Sequence, residues 1–243
     1  MIKGNKTMII AGASALLGAG AASLVLAFAT PIDAANRAEI GKIVREYILS
    51  HPEILPEAMD NLRARELGKS VEANRAIIET PIGDAWEGAA DGDVVLVEFF
   101  DYACGYCKAA IADVDRLLAE DKKLKVVYRD MPVLGPESLE AARLSVAAAM
   151  AGKFNAMHRP LYASGRPTAA TLDATRRRLG IDARMLNSPE VEKELARNLQ
   201  LQRELDLSGT PAWVVGDKVL VGAIGYDALK AAIAEARAKR TAP

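Results

Sequence analysis

Asp93-Val94-Val95-Leu96-Val97-Glu98-Phe99-Phe100-Asp101-Tyr102-Ala103-Cys104-Gly105-Tyr106-Cys107-Lys108 is the stretch that decides the fold. From 93 to 100 it is a short apolar run rich in valine and phenylalanine, which predicts a buried strand. From Lys108 to Glu120 the pattern predicts a helix. Both cysteines of the 243-residue chain lie at the turn between them, three positions apart. That spacing brings the two sulfurs within disulfide reach across the first helical turn. A helix opening here puts Cys104 at its N-terminus, where unpaired N–H groups and the helix dipole favour a negative sulfur. The thiolate is the attacking species in dithiol–disulfide exchange. Cys104 is therefore expected to be an exposed, readily ionised attacker. Cys107, one turn inside, is expected to be more shielded and to resolve mixed disulfides.

Two blander readings of the pair are weaker. A structural zinc site needs four ligands, and beyond the two cysteines the chain offers only His51 and His158. A purely structural disulfide closing so short a loop would constrain the unfolded chain little.

The N-terminus carries Lys3 and Lys6, followed by a charge-free run from Met8 to Ala29. A positive segment, a long apolar segment and Ala27-Phe28-Ala29 describe a signal peptide cleaved after Ala29. The competing reading of residues 1–29 is an uncleaved membrane anchor. Both place the remainder outside the cytoplasm, in the periplasm or facing it. An oxidising compartment usually brings structural disulfides. Here both cysteines are committed to one motif, so core burial must hold the fold. About 210 residues remain without the leader, enough for a fair-sized core. With 31 basic and 32 acidic residues the net charge is −1, which gives no sign of a nucleic-acid or acidic-membrane partner.

Outward from the motif, residues 36–80 read as an N-terminal helical segment. Ile40, Ile43, Val44, Tyr47 and Ile48 recur at helical spacing, and His51-Pro52 breaks the first helix. A second helix is expected from near Pro56 to about Glu79, with Met59, Leu62 and Leu67 apolar. The segment is either a hairpin packed on the next domain or a stalk joining subunits. Pro81 to Gly92 reads as a loop. After the motif helix, Leu124 to Arg129 reads as a second strand, which completes a βαβ unit. Residues 137–207 are almost entirely helical in pattern. Strand signals return at Ala212-Trp213-Val214-Val215 and Lys218-Val219-Leu220-Val221, around a Gly216-Asp217 turn. Tyr226 to Arg240 closes as a helix. The order βαβ, helical block, ββα predicts an α/β chain: a thioredoxin fold over 81–240 with an inserted helical domain at about 137–207.

With those elements assembled, the chain resembles the DsbA-like branch of the thioredoxin superfamily over roughly residues 80–240. Three blocks carry the resemblance: Val97 to Lys108, Val127-Tyr128-Arg129-Asp130-Met131-Pro132-Val133-Leu134-Gly135, and Ser208-Gly209-Thr210-Pro211-Ala212. The N-terminal helices resemble those of the suppressor-of-copper-sensitivity ScsC type, some of which are oligomeric.

The resemblance implies site residues. Pro211 would follow a cis bond and face the cysteines, with the Thr210 backbone beside the sulfurs, ready to pair with an extended substrate. Gly105 and Tyr106, between the cysteines, join Thr210 and Pro211 as substrate-contacting residues. Glu98 would be a buried acid of raised pKa that accepts the proton of Cys107. Asp101 is expected in the turn, and His158 to cap or pack a helix of the insert. Gly105-Tyr106 and Thr210-Pro211 resemble the disulfide-isomerase members more than the oxidases, which carry a histidine between the cysteines. Three activities follow: an isomerase or reductase kept reduced by a membrane redox partner, a disulfide-donating oxidase, and a copper(I)-binding dithiol protein. The implied partners are cysteine-containing extracytoplasmic proteins and a second copy of the chain through residues 36–80. No cofactor and no metal ligand set are implied.

Overall fold

Helix α1 (Ala34–Ser50) ends as expected before His51-Pro52, because a residue preceding proline is pushed out of helical geometry. The computed structural model describes residues 34–241, so the leader expected at 1–29 lies outside the described residues. Helix α2 (Ile54–Glu79) opens two residues earlier than the expected start near Pro56. A proline is tolerated in a first helical turn, where its missing N–H has no intrahelical partner to lose. The chain divides into two compact units, one ending at Met59 and the other beginning at Asp60. In the first unit Ile40, Ile43, Val44 and Tyr47 are exposed, and the Tyr47 ring stacks on His51 with centroids 4.5 Å apart. Among the described residues no helix is long and apolar enough to cross a membrane.

The second unit is built on a five-stranded sheet. Its strands are β1 (Trp86–Gly88), β2 (Val94–Phe100), β3 (Leu124–Asp130), β4 (Ala212–Val215) and β5 (Lys218–Val221), in the order β1-β3-β2-β4-β5. Strands β2 and β3 run parallel, joined by helix α3 (Gly105–Glu120), and β4 and β5 are antiparallel additions beside β2. Strand β1 corrects the reading of 81–92 as loop throughout. Its three residues pair antiparallel with Lys125–Val127, and a run so short shows no alternation to read in sequence. The β4–β5 turn is the expected Gly216-Asp217, with Gly216 at φ +57, a conformation glycine adopts without steric cost.

Between β3 and β4 run helices α4 (Pro136–Met150), α5 (Phe154–Ala163), α6 (Ala169–Arg178) and α7 (Pro189–Glu204), with a 3-10 turn at Ala183–Asn187. Helix α8 (Tyr226–Thr241) closes the chain. Helix α4 begins five residues before the expected Ala141, because Pro136 sits at its first turn and needs no N–H there.

Strand alternation sorts the side chains onto two apolar faces. Leu96, Phe100, Val126, Tyr128, Trp213 and Val215 share a core with α3, α8 and the helices α4 to α6. Val97, Phe99, Val127, Ala212 and Val214 form the second core with Val71 and Ile78 of α2 and Leu201, Leu205 and Leu207 at the end of α7. Val71 and Ile78 are fully buried, so residues 60–79 of the expected N-terminal segment form part of this unit's core. The helical insert likewise reaches both faces of the sheet. Arg129, buried on β3, fastens the second face. Its Nε donates to Ile78 O at 3.0 Å, its Nη1 to Glu194 and Asn198 at 2.9 and 3.0 Å, and its Nη2 to Thr80 O at 2.7 Å and to Ile77 O. A buried cation is tolerated only when paired in this way.

Candidate active site

The site sits where β2 ends. The parallel β2–β3 pairing places the loop after β3 on one side of this end, and the antiparallel β2–β4 pairing places the loop before β4 on the other. Helix α3 starts at Gly105, three residues before the expected Lys108, and Cys104 is its N-cap. The Cys107 N–H donates to Cys104 Sγ at 3.4 Å, in the position a serine or aspartate oxygen takes at other helix starts. The Cys104 thiol in turn donates to the carbonyl oxygen of Thr210 at 3.3 Å. Thr210-Pro211 is a cis peptide bond, so the loop before β4 lies against the sulfur as the resemblance implied.

Both cysteines are free thiols. Cys107 is 1% exposed. Burial, with the Glu98 charge adding to it, pushes its thiol well above the usual range. Cys104 corrects one expectation: it is 6% exposed rather than open to solvent, because the Thr210 carbonyl sits over its sulfur. The residues between them are the accessible ones, and Tyr106 is 70% exposed. Thr210 is half-buried and Pro211 buried.

Glu98 points into the first core beside Tyr128, its register partner on β3. It is 4% exposed. Burial raises its carboxyl to about 8. The neighbouring Cys104 and Glu87 add to the rise, and Arg159 opposes it. The nearby Glu87 accepts from Tyr128 Oη at 2.9 Å and from Arg159 Nη2 at 2.9 Å.

Asp101 lies in the turn as expected, but it does more there than the sequence suggested. Its Oδ1 accepts the Ala103 N–H at 2.8 Å, and its Oδ2 accepts the N–H groups of Val133 and Leu134 at 2.9 and 3.1 Å. Its own carbonyl accepts the Cys104 N–H at 3.0 Å and the Tyr162 hydroxyl at 3.1 Å. The bond to Ala103, two residues on, is an Asx turn and is legible in sequence. The two bonds across to the loop after β3 are not.

His158 packs in α5 among Phe100, Tyr128 and Phe154. Its Nδ1 is hydrogen-bonded to the Tyr102 hydroxyl at 3.0 Å, and burial holds its ring neutral by lowering it to about 3. Among the described residues no group of three or more His, Cys, Asp or Glu side chains is placed to hold a metal ion.

With this geometry in hand, the chain can be set beside known proteins. The DSBA-like thioredoxin domain matches residues 95–234, and the Copper resistance protein ScsC N-terminal domain matches residues 36–66. The structure is similar to that of a linker-deletion mutant of Proteus mirabilis ScsC, with TM-score 0.66 and 28% identity, covering 85% of this chain and 97% of that one. It is also similar to the thiol-disulfide exchange protein alpha-DsbA2 from Wolbachia pipientis, with TM-score 0.62 and 26% identity, covering 72% and 97% of the two chains. A Na(+)/H(+) antiporter, NhaA 1 of Salinispora arenicola, is 29% identical over 165 residues, which make up 64% of this chain and 25% of the antiporter. The chain thus spans about a quarter of the length of the curated relatives it first matches. Antiport is an activity of those proteins.

Proposed function

The chain belongs to the DSBA-like thioredoxin domain family, and on that premise we propose that it is a thiol–disulfide oxidoreductase that rearranges or reduces disulfides of proteins outside the cytoplasm. The observation that carries the reading is the contact of the Cys104 thiol with the Thr210 carbonyl at 3.3 Å, at the start of a helix whose first turn holds Cys107. A strand of client laid along the Thr210 backbone presents its disulfide to Cys104. The Cys104 thiolate attacks one client sulfur, the client S–S bond breaks, and the other client sulfur leaves as a thiolate. The mixed disulfide then has two exits. A client thiolate can displace Cys104 and form a new client bond, with no net oxidation. Alternatively Cys107 attacks Cys104, the client leaves with both sulfurs reduced, and Cys104–Cys107 is oxidised. The second exit requires a membrane redox partner that returns two electrons to the pair. The ionised form of Glu98, a growing share as pH approaches 8, takes the proton that Cys107 must lose.

Gly105-Tyr106 supports this direction over disulfide donation. It offers no cation to stabilise a Cys104 thiolate, so the disulfide is a weaker oxidant. The test is scrambled ribonuclease A in a glutathione buffer: the reduced protein is expected to speed recovery of activity over buffer alone. Oxidation of reduced ribonuclease A without repair of the scrambled form would reverse the direction. Export is supported by the charge-free run after Lys3 and Lys6, and recovery of the protein only from cytoplasmic extracts removes it. The exposed Ile40, Ile43, Val44, Tyr47, Met59 and Leu62 support self-association through residues 36–80. A monomer by light scattering at all concentrations removes that part.

A further inference from the structure

Cys104 is flanked by two loops of different chemistry. The loop before β4 offers a backbone carbonyl, while the Met131–Gly135 loop after β3 offers apolar side chains, with Val133 and Leu134 42% and 41% exposed. Nothing in the sheet ladder holds that second loop in place beyond the Met131 N–H, which donates to Phe100 O at 2.7 Å. Arg166 Nη2 donates to Leu134 O at 3.1 Å from the exposed side, and what holds the N–H groups of Val133 and Leu134 is one buried carboxylate. Asp101 accepts their two N–H groups on Oδ2, and the Ala103 N–H of the cysteine turn on Oδ1. A carboxylate that accepts three backbone N–H groups is a strong and directional tie.

We propose that Asp101 is a positioning residue that locks the Val133-Leu134 loop to the Cys104 turn, so that the two apolar side chains seat the client segment next to its disulfide. The proposal rests on the disulfide-exchange reading above and adds a residue and a client property to it: a stretch of extended, apolar chain beside the reacting cysteine. Asp101 touches neither sulfur through its carboxylate; it acts through the loop. Replacing it with asparagine exchanges one acceptor oxygen for an NH2 group, which must face either Ala103 N–H or the Val133 and Leu134 N–H groups. Either way one tie is cut.

The test compares steady-state repair of scrambled ribonuclease A by the wild-type protein, Asp101→Asn, and the double variant Val133→Ser/Leu134→Ser. A merely structural role for Asp101 would lower the folded fraction, which reduces apparent kcat and leaves KM unmoved. Positioning predicts the opposite split. KM rises about tenfold in both variants, a loss of about 1.4 kcal/mol of client binding, while kcat falls by less than about twofold. The double variant changes only half-exposed side chains, so it reads the client surface even if Asp101→Asn fails to fold. KM within about twofold of wild type in the double variant overturns the proposal. So does an elevated KM there with an unchanged KM in folded Asp101→Asn. A wild-type protein inert toward scrambled ribonuclease A removes the exchange reading and this inference with it. An active wild-type protein with unmoved KM values removes this inference alone.

Discussion

Cys104→Ser is expected to lower disulfide exchange by at least about a thousandfold, whereas Cys107→Ser should retain attack and accumulate covalent adducts with its clients. The asymmetry follows from where the helix begins. Cys104 caps α3 and is 6% exposed against 1% for Cys107, so its sulfur is the one a client reaches first. Cys107 lies one turn in, almost fully covered, with burial and the Glu98 charge both holding its proton on. A sulfur so placed is a poor first attacker. Once Cys104 carries a client, however, Cys107 is the internal thiol best placed to displace it. Removing Cys107 therefore leaves a mixed disulfide with no internal exit. Non-reducing electrophoresis and intact mass should show adducts for Cys107→Ser that vanish on adding dithiothreitol. Iodoacetamide should label Cys104 before Cys107 in the reduced wild-type protein. Exchange surviving in Cys104→Ser, or a Cys107→Ser protein that forms no adducts, would sink the assignment of roles.

The elements legible in sequence were those whose signal is local. Strands β2 and β3 are apolar runs with clear bounds, and the β4–β5 hairpin announces itself by Gly216-Asp217. The order of these pieces around one CxxC was enough to imply the sheet. What stayed hidden depends on contacts far apart in the chain. Trp86–Gly88 is a strand only because β3 offers an edge to pair with. Arg129 reads as one more charge in a strand, yet in the fold it ties the last carbonyls of α2 to Glu194 and Asn198 of α7. For that reason residues 60–79 of the segment that reads either as a packed hairpin or as a stalk are built into the domain. Val71 and Ile78 belong to the second core, and their helical spacing alone does not tell a stalk from a packed helix.

The candidate site divides in the same way. Cys104, Cys107, Glu98, Thr210 and Pro211 could be singled out because each lies in a block of recognisable pattern, and the fold brings these residues to the end of β2. The resemblance implied the Thr210 backbone beside the sulfurs, but composition and periodicity alone do not show that it covers Cys104, because the contact comes from a loop 106 residues away. Nor could the reach of Asp101 across to Val133 and Leu134, since an aspartate at a turn usually serves only its own turn.

Glu98→Gln is expected to stabilise the protein, and increasingly so as pH rises. The carboxyl sits on β2 inside the first core with no protein hydrogen bond among the described residues, and burial raises it to about 8 from a reference value of 4.5. Below the reference value both folded and unfolded chains hold the proton, and the group is neutral in each. Between 4.5 and about 8 the unfolded chain releases a proton that the native chain keeps, so native stability falls as pH climbs through this window. Above about 8 the native carboxyl is also ionised and the penalty stays at its full value, roughly 5 kcal/mol. Glutamine has nearly the same shape and cannot ionise, so its curve lacks this slope. Urea midpoints of the two proteins should nearly coincide at pH 4 and separate widely at pH 9, and parallel curves would show that Glu98 is not the buried acid described here. A fold that carries such a cost gains no stability from it, which directs attention to Cys107. Glu98 raises the Cys107 thiol further, yet it is also a carboxyl that can take up a proton near neutral pH. Its removal should ease ionisation of Cys107 and at the same time erase the limb near pH 8 from the pH–rate profile of mixed-disulfide resolution. A limb that persists in the glutamine variant would belong to another group, and the buried acid would then be a burden on the fold without a part in proton transfer.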